Sequence, residues 1–70
     1  MTPIRKGDLI YIPSSVRLYN EDEFGTTKDF ITIDEPINLL VVKINEKTYE
    51  VLHNERSWFV NKREVYGVTQ

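Results

Sequence analysis

Tyr49-Glu-Val-Leu-His-Asn-Glu-Arg-Ser-Trp-Phe-Val-Asn-Lys-Arg-Glu-Val-Tyr66 is the stretch that decides the fold, because it reads as strand, tight turn, strand and a single helical turn. Alternation places Tyr49, Val51 and His53 on one face of the first strand and Glu50 and Leu52 on the other. Asn54-Glu55, between two β-rich runs, reads as a hairpin turn. In the second run Trp58 and Val60 share one face and Phe59 takes the other. Residues 61–64 then offer one short helical turn, and residues 65–68 a last strand. That order closes a small β-barrel.

Working back toward the N-terminus, Ile37 begins the longest strand expected, which runs to Asn45. Leu40, Val42 and Ile44 fall on one of its faces, with Leu39, Val41 and Lys43 on the other. Its first half is apolar on both faces, which predicts a central strand. Phe30, Ile31 and Ile33 lie in a β-rich run that Asp34-Glu35-Pro36 ends. Residues 20–28 are polar and acidic, with Gly25 near the middle, and read as a long loop that Phe24 anchors. Earlier still, residues 7–12 form a short β-branched strand stopped by Pro13-Ser14-Ser15, and extended structure resumes over residues 16–19. There is no repeat, no low-complexity tract and no helical period longer than a turn. The expectation is an all-β chain: a small five- to six-stranded antiparallel barrel with a long early loop and a short 3₁₀ turn before the last strand.

The strand order and the position of the long loop resemble the SH3-like barrel, and the tail is most similar to bacterial SH3 domains. Tyr49-Glu-Val-Leu, the turn at Asn54, Trp58-Phe-Val, the helical turn and Val65-Tyr66 carry the resemblance, which covers roughly the last third of the chain. Ser57 stands where those domains usually have glycine, and the first strand lacks an aromatic-rich Ala-Leu-Tyr-Asp-Tyr pattern. The resemblance therefore implies the barrel without implying a polyproline ligand.

Composition bounds the rest. Seventy residues make one domain, spanning residues 1–70, and a chain this short buries only about 60% of the surface it exposes when unfolded. With no cysteine and one histidine, packing or self-association has to supply what a disulfide or a metal supplies in other small domains. The longest apolar run, residues 37–42 interrupted by Asn38, is far below the roughly 20 residues that span a bilayer, so no membrane partner is expected. Met-Thr-Pro-Ile-Arg-Lys-Gly-Asp lacks the apolar core of a signal peptide, which predicts a cytoplasmic protein, or one acting in a host's cytoplasm if phage-encoded.

No catalytic constellation can be assembled, since His53 is the only imidazole and no nucleophile elbow or glycine-rich phosphate loop exists. Asn20-Glu-Asp-Glu-Phe-Gly lacks the alternating oxygen ligands of a calcium loop, so no metal and no cofactor are expected. The chain reads as a non-enzyme. Its aromatic residues are the better lead: Tyr11, Tyr19, Phe24, Trp58, Phe59 and Tyr66 are the candidate contacts with another protein, because aromatic residues are favoured at binding hot spots as well as in cores. Trp58 and Phe59 face opposite ways, so one of them lies outside unless covered. A nucleic-acid-binding barrel using Arg56, Lys62 and Arg63 is the alternative, opposed by a net charge of −2. A homo-oligomer whose barrel edges pair is a third arrangement. In size and tailless organisation the chain resembles a small phage or mobile-element accessory protein that binds and modulates a host protein.

Overall fold

The computed structural model describes residues 4–67. Their strands are β1 (Leu9–Ile12), β2 (Arg17–Glu21), β3 (Thr27–Thr32), β4 (Ile37–Ile44), β5 (Thr48–His53), β6 (Arg56–Asn61) and β7 (Tyr66–Gly67). A single 3₁₀ turn, Lys62–Glu64, separates the last two. All pairings are antiparallel, and the strands form one open sheet in the order β3-β2-β6-β5-β4-β1-β7. The chain is all-β, with seven strands in an open sheet where a barrel of five to six is expected. Val68 of the expected last strand lies outside the described residues.

The β5–β6 hairpin forms as its sequence dictates. Asn54 and Glu55 both have positive φ, 52° and 65°, the pair of left-handed residues that a two-residue hairpin turn needs to match strand twist. The register Tyr49↔Val60, Val51↔Trp58, His53↔Arg56 then stacks Tyr49, Val51, Trp58 and Val60 on one face. Those four residues belong to a single core cluster that also holds Ile10, Ile12, Val16, Leu18, Ile33, Leu39, Val41 and Val65. One face of the sheet therefore wraps around one core, and the opposite face is turned to solvent.

Three further expectations need correction. Residues 20–28 are not a long loop: β2 runs on to Glu21, β3 starts at Thr27, and a turn over residues 22–26 joins them. Asp22 builds that turn, its Oδ1 accepting from the amides of Phe24 (2.9 Å) and Thr26 (3.0 Å), while Gly25 supplies φ +81°. Phe24 does not fold back as an anchor; it is 83% exposed at the hairpin tip. In β4, a bulge between Val41 and Lys43 breaks the simple alternation. Lys43 comes opposite Glu50 and Ile44 opposite Tyr49, so the two exchange the faces that strict alternation assigns them.

Candidate functional site

Side chains whose strand positions direct them away from the core form the outer face. On β1, β4 and β5 the register aligns Leu9 with Leu40, and Leu40 with Leu52. These three leucines make a cross-strand row, yet they remain 47%, 38% and 42% exposed. Directly opposed strand residues have Cβ atoms about 5 Å apart, so the row is a continuous apolar strip. Beside it Tyr11 pairs with Tyr66 on β7, with ring centroids 6.5 Å apart, and both rings are open to solvent. Lys43 and Glu50 stand opposite each other on the same face, next along β4 and β5.

A second outer cluster is aromatic. Phe30 of β3 is opposite Tyr19 of β2, and Tyr19 is opposite Phe59 of β6. Tyr19 and Phe59 pack at 5.9 Å between centroids, and the Arg17 guanidinium lies 4.7 Å from the Phe30 centroid. Partial burial pushes the Tyr19 phenol above its ordinary pKa, with smaller contributions in the same direction from the carboxylates of Glu21 and Glu64. Tyr19 therefore remains a neutral hydrogen-bond donor and acceptor at physiological pH.

The six aromatic candidates thus separate. Tyr11 and Tyr66 meet beside the leucine row, Tyr19 and Phe59 meet on the strands next to Phe30, and Phe24 stands on the hairpin tip. Trp58 is 3% exposed and belongs to the core, so its ring is not offered to a partner. Arg56 covers it, the guanidinium 4.7 Å from the ring centroid, and the same side chain makes a 3.6 Å ion pair with Asp29. Both partners of that ion pair are more than half exposed, which limits its contribution to stability.

The basic candidates also separate. Arg56 begins β6 while Lys62 and Arg63 follow its end, about 20 Å of extended strand away. Lys62 and Arg63 instead join Lys47, Glu46 and Asn61 around a cleft between the β4–β5 turn and the 3₁₀ turn. The Lys62 amide donates to the Lys47 carbonyl at 3.1 Å, and the Lys62 ammonium lies 5.3 Å from the Tyr49 ring centroid. His53 is half-buried beside its turn, with Nε2 3.4 Å from the side-chain Nδ2 of Asn54. Among the described residues no group of three or more His, Cys, Asp or Glu side chains is placed to hold a metal ion, and no helix is long and apolar enough to cross a membrane.

Leu9, Leu40 and Leu52 are what sequence reasoning missed. Each is an ordinary strand residue when read alone, and only the register of three strands brings them together; the available signal was the assignment of Leu40 and Leu52 to the faces opposite Val41 and Val51. Comparison with family models, with curated proteins and with solved structures finds no match for this chain.

Proposed function

We propose that this chain is a non-catalytic protein-binding module built as an SH3-like barrel, and that its contact surface is the outer face of β7, β1, β4 and β5. The barrel reading rests on the strand run β7-β1-β4-β5-β6, with a hairpin excursion between β1 and β4 and one 3₁₀ turn before β7. The binding reading rests on one observation: the row Leu9, Leu40 and Leu52, flanked by Tyr11 and Tyr66, is apolar, ordered by strand pairing and uncovered. Contiguous exposed apolar surface of this kind marks interaction sites, whereas scattered single residues do not. Strand-borne side chains lose little further freedom on association, which favours binding through a preformed surface. A rigid barrel of this sort modulates a cytoplasmic protein, including a host protein, by covering part of its surface, with no chemistry of its own.

The test is affinity capture from cytoplasm with wild type, Leu40→Glu and Lys62→Glu, read by mass spectrometry. A specific partner retained by wild type and Lys62→Glu but lost by Leu40→Glu is the expected result. Partner retention by Leu40→Glu sinks this reading of the outer face.

The cleft of Lys47, Lys62 and Arg63 favours a second reading, a nucleic-acid contact at that corner. Binding of labelled DNA or RNA that weakens steeply between two salt concentrations, and is lost in Lys62→Glu, is its signature. Micromolar protein without salt-sensitive binding dismisses it.

A further inference from the structure

The outer face carries information about its partner beyond being apolar. At its margin Lys43 and Glu50 stand opposite each other across β4 and β5, so the face has one charge of each sign. Asn38, opposite Tyr11, and Ser57, opposite Leu52, are neutral. A partner selected by charge of one sign finds no matching field here. A surface that presents the same balanced pair does.

The rest of the molecule repeats the pattern on a larger scale. Because β2 runs antiparallel to β6 with Tyr19 opposite Phe59, the β2–β3 tip bearing Glu21, Asp22 and Glu23 lies toward the Arg56 end of β6. The contact between Arg56 and Asp29 fixes the same relation. Lys47, Lys62 and Arg63 gather at the other end, beyond Asn61. The Arg56 end of β6 is thus richer in carboxylates, and the Asn61 end gathers Lys47, Lys62 and Arg63 together with Glu46 and Glu64. A twofold contact places a surface against itself in reverse, each residue i meeting j while j meets i, and so satisfies opposite charges twice over.

We infer that the outer face binds a second copy of this chain, forming a twofold dimer in which the Leu9-Leu40-Leu52 rows pack together and Lys43 of each copy meets Glu50 of the other. This rests on the reading of that face as a protein contact and names its occupant. The contact is face to face, unlike the edge pairing considered from the sequence.

Sedimentation of the full chain from micromolar to millimolar concentration tests it, with circular dichroism as the check on folding. Wild type is expected to move from the 8.3 kDa monomer to twice that mass as concentration rises. Lys43→Glu and Glu50→Lys are each expected to stay monomeric over the same range, because each sets two like-charged pairs across the twofold axis. Mixed in equal amounts, they are expected to recover the dimer, since every cross-copy pair is then of opposite sign. Leu40→Glu is expected to remain monomeric under all these conditions. Wild type that stays monomeric throughout overturns the inference, as does a dimer that survives Leu40→Glu, and so does a mixture of the two charge variants that fails to associate. A strict monomer in which Leu40→Glu still abolishes capture of a different protein removes the second copy while leaving the outer face as a protein contact.

Discussion

Leu39 and Leu40 are the same side chain one position apart on β4, yet they belong to two different surfaces. Leu39 is 7% exposed within the single core cluster, while Leu40 is 38% exposed in the middle of an outer row. The difference lies in what stands across the strand. Leu39 faces a sheet that curls over it and brings Ile10, Val51 and Trp58 into the same core. Leu40 stands between Leu9 and Leu52 across the sheet, on the face turned away from that core. Identical hydrophobicity thus packs the core on one face and stands exposed on the other.

The largest expected separation between the faces is at Trp58. Replacing this buried ring with alanine should cost about 3–5 kcal/mol in a denaturant titration followed by circular dichroism. A loss below about 1 kcal/mol would place the ring outside the working core. Leu39→Ala should follow at about 2–5 kcal/mol, against less than about 1 kcal/mol for Leu40→Ala, which forfeits only cross-strand contacts. Equal losses at the two positions would erase the distinction.

Smaller effects belong to the turns that hold both faces in register. Glu55 adopts φ 65°, a left-handed conformation that glycine occupies without a side-chain penalty. Glu55→Gly should therefore raise stability by about 1 kcal/mol, the relief of backbone strain exceeding the added freedom of the unfolded chain. Asp22→Ala should lose about 1 kcal/mol and speed amide exchange at Phe24 and Thr26, the two amides its carboxylate holds.

The smallest effect is the titration of Tyr19. Its pKa is raised in the folded protein, by burial first and then by Glu21 and Glu64, so folding favours the protonated phenol. That contribution is complete below the ordinary tyrosine value of 10.0 and is lost as pH rises through the higher folded value. In an ultraviolet titration Tyr19→Phe should remove a late-titrating phenol; removal of an early one contradicts the packing of Tyr19 on Phe59.

How much of this was legible in the chain depended on burial. The β5–β6 hairpin could be read because Tyr49 and Val51, then Trp58 and Val60, recur at every second residue on either side of the two-residue turn Asn54-Glu55, and that spacing is the imprint of a strand face turned to a core. The β2–β3 hairpin could not, because residues 21–30 are all exposed, so selection for burial wrote no period into them. Its turn still carried a signal in Asp22 and Gly25. The β4 bulge was invisible for another reason: one inserted residue changes the phase of alternation, and Val42, Lys43 and Ile44 do not differ enough in pattern to mark where. Phe24 was misplaced by the assumption that an aromatic ring in a polar segment must return to the core. Tyr11 and Tyr66 emerged as surface aromatics, but their neighbours Leu9, Leu40 and Leu52 did not, since a row across three strands has no sequence spacing of its own. Lys62 and Arg63 could be read as a basic doublet, whereas Lys47 joins them only through the adjoining turn, and Arg56 lies against Trp58 and Asp29 instead.

The most direct measurement is a paired one on Leu40→Glu, recording unfolding free energy and association on the same sample. If the outer face is for contact, stability should stay within about 1 kcal/mol of wild type while association through that face is lost. A variant that unfolds as a core substitution does, or one that keeps both its stability and its association, contradicts the division of labour between the two faces.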